Sequence, residues 1–259
     1  MHNCLVGSEM CIRDRQKVKY FSLNSPCVYI GLLIFIIILS QSRGLESKGL
    51  VSQNPFDLYQ DKILFDVVRD GEKVGSHEAT FSGDKNDFWV TTRFELEIKV
   101  LFIRAYAFKY FSKANWKNGV LNEISVIVDD DGEPFSLKGQ KEAGEFLIES
   151  SKKKFKTPLP LFPTNHWNAN VVNESVVLNT LTGELNRVDI IARGVETLQS
   201  GHGEIKSQRY SYTGDLDTEV WYDQKGRWVG MEFKGKDGSI ITYVCQQCLA
   251  SKDLSLIHI

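Results

Sequence analysis

The sequence predicts an all-β fold, a large antiparallel curled sheet or barrel of about a dozen strands with one short helix or loop near 164–181. Three observations carry this. Apolar and polar residues alternate with period two along most of the chain after residue 61, turn dipeptides such as Asp70-Gly71 and Asn118-Gly119 punctuate the runs, and no strand is separated from the next by a helix-length βαβ spacing.

Taken in order, Ile63, Phe65 and Val67 form one face of a strand, Asp70-Gly71 supplies the positive φ angles of a tight turn, and Val74 to Phe81 lead back. Phe88, Val90, Thr92, Phe94, Leu96, Ile98 and Val100 then place seven alternate residues on one side. At about 3.3 Å per residue this strand exceeds 40 Å, a length that suits a curved sheet or barrel. Phe102 to Trp116 continues the alternation through Tyr106, Phe108 and Tyr110, Asn118-Gly119 turns the chain, and Ile124, Val126 and Val128 return it to the acidic turn Asp129-Asp130-Asp131-Gly132. Residues 133–151 give two shorter strands around Lys138-Gly139 and Glu142-Ala143-Gly144. The loop Thr157–Pro163 carries three prolines, which bar it from a central strand. From 164 to 181 the alternation fails, and Thr164 or Asn165 is placed to cap a short helix carrying Trp167, Val171, Val172 and Val176. Beyond Leu185 the β pattern resumes, with turns at Lys225-Gly226 and Asp237-Gly238.

Composition allows a substantial core, with 42% hydrophobic and 11% aromatic residues, and excludes a disordered chain. The net charge of -2 conceals a segregation. Five basic and two acidic residues fall within the first 44, which leaves the remainder near -5 and gives no support to nucleic-acid binding. The apolar run 27–40, preceded by Lys17 and Lys19 and followed by Ser40, Ser42 and Gly44, has the layout of a signal peptide over 16–44 and is short for a membrane-crossing helix. An exported, periplasmic or secreted location follows as the expectation, with membrane contact only through this segment if it stays uncleaved. Val6–Arg15 and Leu254–Ile259 resemble translated sequencing-adapter read-through. Residues 1–15 are therefore read as an adapter-like artefact, 45–60 as a linker, 61–248 as a single β-rich domain and 249–259 as a tail, adapter-like at its end.

Few residue patterns carry chemistry. Cys245-Gln-Gln-Cys248 brings two sulfurs close enough for a small disulfide ring or half of a zinc site. No other cysteine lies beyond residue 44, and the pair follows a strand instead of opening a helix, so a structural disulfide or idle thiols is the expectation, with no metal site and no cofactor. Trp221, Tyr222, Asp223 and Trp228, with Tyr106 and Tyr110, are candidates to line a ligand pocket, because aromatics supply apolar surface with polar tips. The same aromatics also suit a plain hairpin core. His77, His166 and His202 lack any nucleophile elbow or metal-helix pattern, and no catalytic residue is assigned.

The order of Asp70-Gly71, Val74-Gly75-Ser76-His77, Leu101-Phe102 with Tyr106, Trp116-Lys117-Asn118-Gly119, Gly214-Asp215-Leu216, Trp221-Tyr222-Asp223 with Gly226 and Trp228, and Asp237-Gly238 with Ile241 and Tyr243 resembles exported bacterial proteins of domain-of-unknown-function family 6134, akin to family 3108. The resemblance covers about residues 58–244. It implies a secreted or periplasmic β-rich fold and brings no catalytic residues.

Two functional readings follow. The first is a non-enzymatic envelope protein whose concave face takes a lipid-like hydrophobic small molecule or an envelope protein, in keeping with apolar residues on both faces of Phe102–Tyr110 and Val120–Val128. The alternative is a periplasmic enzyme of hydrolase type with a scattered His/Asp site built from His77, His166 or Asp223.

Overall fold

In the computed structural model, residues 54–235 and 237–250 are described and fall in one compact unit. They form fourteen antiparallel strands: β1 (Lys62–Arg69), β2 (Glu72–Gly83), β3 (Asp87–Val100), β4 (Ile103–Lys117), β5 (Val120–Asp130), β6 (Glu133–Glu142), β7 (Glu145–Ser150), β8 (Lys154–Pro158), β9 (Val176–Asn179), β10 (Glu184–Ser200), β11 (Gly203–Gly214), β12 (Thr218–Asp223), β13 (Trp228–Lys234) and β14 (Ile240–Gln247). The sheet order is β8-β7-β6-β5-β4-β3-β2-β1-β14-β13-β12-β11-β10-β9. The chain therefore starts in the middle of the sheet, meanders to one edge, crosses to the other edge and meanders back to pair β14 with β1. The expected curled all-β sheet is the observed fold, with two strands more than the dozen counted from the turns.

Alternation explains the core. On β3, Phe88, Val90, Thr92 and Leu96 are buried, and on β4 Phe108, Tyr110, Ser112, Ala114 and Trp116 are. These inward residues meet the inward residues of β1, β12, β13 and β14, among them Phe65, Tyr222, Trp228 and Tyr243, in one continuous cluster. Five hairpins use two-residue turns with positive φ at both positions, four of them closed by glycine at Gly71, Gly119, Gly132 and Gly144.

Two sequence expectations need correction. The linker assigned to 45–60 ends within the fold: Asn54 caps a one-turn helix α1 (Pro55–Leu58) and Tyr59 behind it is buried. The short helix or loop expected near 164–181 is present as a loop with a single 3-10 turn, Ala169–Asn173, but its cap is Asn168 and not Thr164 or Asn165, and Val176 belongs to β9. Run-on valines and asparagines favour extended structure, so only one turn forms. The signal-like run 27–40 and both adapter-like ends lie outside the described residues. Among the described residues no helix is long and apolar enough to cross a membrane.

Candidate functional site

The crossing segment between β8 and β9 shapes the interior. Its prolines keep it out of the sheet, and its apolar side chains find the only dry place left, inside the curl. Leu161, Phe162, Asn165, His166, Trp167, Asn168 and Val171 are all buried. Trp167 packs edge-on against Phe81, Phe88 and Trp116 of β2, β3 and β4, while His166 lies against Tyr212 of β11 and Trp228 of β13. Two consecutive residues thus touch strands from both halves of the sheet, which shows that the sheet wraps around this segment.

Hydroxyl groups fix it there. The Tyr59 hydroxyl donates to the Trp167 carbonyl at 2.8 Å and accepts from the Trp228 backbone N–H at 2.8 Å. The Tyr222 hydroxyl donates to the His166 carbonyl at 2.9 Å. Nearby, residues 162–164 run alongside β9, with Leu178 N–H bonded to the Phe162 carbonyl and Thr164 N–H to the Leu178 carbonyl. No ladder joins β8 to β9 among the described residues. Side chains near the two ends of the sheet meet instead: Tyr110 of β4 donates to Oγ1 of Thr180, just after β9, at 3.2 Å, and Lys153, just before β8, pairs with Glu184 at the start of β10 at 3.1 Å.

At the centre, the His77 ring is surrounded by Phe65, Phe94, Trp228 and Tyr243 at centroid distances of 5.1–6.3 Å. Burial pushes His77 down to about 3 and His166 down to about 4, so both rings are neutral near pH 7. Neither His77 nitrogen, nor Nδ1 of His166, has a hydrogen-bond partner. A buried polar ring without partners in an aromatic cage is an unusual arrangement, and it is one that a ligand's polar group would complete.

The site residues named from the sequence divide between two faces. Tyr222 and Trp228 point inward; Trp228 joins the cage, and Tyr222 packs on Tyr210 and holds the His166 carbonyl. Tyr110 is also buried and inward, bonded to Thr180. Trp221, one residue from Tyr222, points outward under the β10–β11 hairpin, where its Nε1 donates to Glu196 Oε2 at 3.1 Å and the Arg209 guanidinium covers its ring. Period-two geometry requires this split, so Trp221 and Tyr222 cannot line one pocket. Tyr106 is remote, at the base of the β3–β4 hairpin, donating to Asp130 at 2.6 Å. Asp223 holds a turn: its Oδ1 accepts from the backbone N–H groups of Lys225 and Arg227, and its Oδ2 takes the Arg227 guanidinium at 2.6 and 2.7 Å in a buried pair. A carboxylate so occupied has no lone pair left for general-base work.

The hydrolase arrangement receives no geometric support. His77 and His166 face aromatic rings, and His202 sits exposed in the β10–β11 turn. Cys245 and Cys248 are joined in a disulfide, and no group of three or more His, Cys, Asp or Glu among the described residues is placed to hold a metal. A dent of about 10 Å3 beside that disulfide, between Ser200, His202 and Leu249, has room for a single water. Sequence reasoning missed Tyr59, Phe65, Tyr212 and Tyr243. Three of them lie on the inward stripe of their strands, a signal that marks core and site wall alike.

The pattern of domain of unknown function DUF6134 matches residues 65–246, well over half of the chain. The chain belongs to the DUF6134 family. No curated protein matches it. Among solved structures it is similar to a β-barrel-like protein of domain of unknown function DUF1849 from Brucella abortus, with 11% identity and a TM-score of 0.53 over 75% of this chain and 99% of that one. At that identity the likeness concerns the fold alone: a DUF6134 chain and a DUF1849 chain share a barrel-like β architecture.

Proposed function

We propose that this DUF6134 protein is exported through the apolar segment 27–40 and serves in the cell envelope as a non-catalytic holder of a lipid-like ligand, taken into the aromatic interior around His77 and Trp228. The observation that carries the reading is the way segment 159–168 occupies the interior. It is not woven into a ladder with β8: backbone bonds of Phe162 and Thr164 to Leu178 hold its first half, and two tyrosine hydroxyls and ring packing hold the stretch around His166 and Trp167. Parting the Tyr110–Thr180 and Lys153–Glu184 contacts loosens the join between the two ends of the sheet, and withdrawal of the segment, which also breaks its bonds to Leu178, exposes an apolar wall with one neutral histidine to receive a ligand's polar end.

The reading is tested by purifying the protein from an envelope extract, stripping lipid with organic solvent and refolding, and comparing melting temperatures. A lower Tm after delipidation, restored by adding back the lipid extract, is the expected result, because a ligand that binds only the folded state stabilises it. An unchanged Tm ends the ligand reading.

A further inference from the structure

The β3–β4 hairpin departs from the turn chemistry of the four other hairpins that use paired positive φ angles. Four two-residue turns place Asp70-Gly71, Asn118-Gly119, Asp131-Gly132 and Ala143-Gly144 at paired positive φ angles, and the fifth places Leu101 at +51° and Phe102 at +68°. Bulky side chains are strained there, and Asn-Gly is the ordinary solution. The strain is accompanied by exposure: Val100 is 57%, Leu101 86%, Phe102 99% and Ile103 72% exposed. Folding stability explains neither feature, since these side chains pack on nothing.

The hairpin also projects. β2 pairs with β3 only as far as Leu96, and β5 pairs with β4 only as far as Phe108, so residues 97–107 extend as a two-stranded arm about 15 Å beyond their neighbours. The rung behind the apolar tip is Lys99 opposite Arg104, both exposed. Glu97 is ion-paired with Lys99 at 2.8 Å and also lies in the field of Arg104 and Lys109, so three cations meet one carboxylate. The acidic turn at Asp129–Asp131 begins only at the arm's base, where the Asp131 N–H bonds to the Ala107 carbonyl.

We propose that this arm is a membrane-contact device, its Val100–Ile103 tip entering the interfacial region of an anionic lipid bilayer while Lys99 and Arg104 bind lipid headgroups. An apolar end of four residues, a cationic collar one rung behind it that outnumbers its one carboxylate Glu97, and the acidic turn Asp129–Asp131 at the base match the layers of such a surface in order: hydrocarbon, anionic headgroups, water. The inference stands on the arm alone and is independent of whether the interior holds a ligand.

A tryptophan at the tip tests it. The full chain carrying F102W is mixed with phosphatidylglycerol-containing vesicles whose acyl chains are brominated, and its emission in excess of the wild type is followed, so that attachment of other segments does not register. The expected result is loss of more than half of that excess, with at least a fivefold weaker vesicle affinity for the excess signal in K99E/R104E/F102W and on vesicles of phosphatidylcholine alone. An excess emission untouched by brominated anionic vesicles overturns the proposal. So does equal quenching on neutral vesicles, and so does a tip already blue-shifted without lipid in a species that light scattering sizes as a dimer, which assigns the tip to a second copy of the chain.

Discussion

Tyr59 and Trp167 are joined by a 2.8 Å hydrogen bond across 108 residues of sequence, from a side chain just before β1 to a carbonyl in the middle of the crossing segment. The same hydroxyl receives the Trp228 N–H. One buried atom therefore ties together the start of the domain, the segment inside the curl and the cage tryptophan. Burial holds the phenol far above its usual range, so it remains a donor at every accessible pH.

Replacing Tyr59 by Phe leaves the Trp167 carbonyl and the Trp228 N–H buried without a partner. The expected cost is about 2–4 kcal/mol, since each stranded group loses about 1–3 kcal/mol. Urea unfolding measures it, and Y222F, which strands the His166 carbonyl and removes the hydroxyl beside that of Tyr212, is expected to cost about 1–3 kcal/mol.

The cage histidines set a pH dependence. The folded interior refuses a proton that the unfolded chain takes up below about pH 6.5, so stability is fully present above that pH and falls on acidification toward the lowered folded values of about 3 for His77 and about 4 for His166. Each histidine contributes up to about 1.4 kcal/mol per pH unit in this window. Between pH 6.5 and 4.5 the stability of H77F, whose ring suits the surrounding aromatics, is expected to fall about half as steeply as that of wild type.

Two glycines separate space from conformation. A Cβ on Gly75 would collide with the Glu95 carbonyl oxygen and stand 2.9 Å from the Leu96 Cα, both backbone atoms that cannot yield, whereas Gly144 has open space but φ of +90°. G75A is expected to lose about 3 kcal/mol or more and G144A about 1–2 kcal/mol, by the same unfolding measurement.

At the arm tip the prediction has the opposite sign. Substituting Leu101→Asn and Phe102→Gly gives the turn its ordinary chemistry and removes exposed apolar surface. A gain of about 1–2 kcal/mol in folding stability is expected. A loss would mean that Leu101 and Phe102 are needed by the fold.

The sheet was legible because its signals are local. Asp70-Gly71 and Asn118-Gly119 announce their hairpins, and the Phe88–Val100 stripe announces its strand. The interior was not, because segment 159–168 is placed by contacts that sequence separation hides: Trp167 reaches Phe81 and Trp116, and Tyr59 reaches Trp228. Asn54-Pro55 did carry a helix-start signal, but a four-residue helix is too short to show periodicity. Adjacency in sequence suggests one site for Trp221 and Tyr222, whereas strand geometry sends neighbours to opposite faces. At Leu101-Phe102 the residues themselves gave no turn signal, since the fold holds them there against their preference.

Whether the interior holds a lipid is read directly by native mass spectrometry of the protein purified from an envelope extract without detergent exchange. A protein that holds a lipid in its interior shows a population heavier than the bare chain by the mass of one lipid-sized molecule, released on collisional activation and reduced in a variant whose segment is locked inside by a disulfide introduced through T164C/T180C. The bare chain mass alone, from several extractions, would contradict a lipid-holding interior.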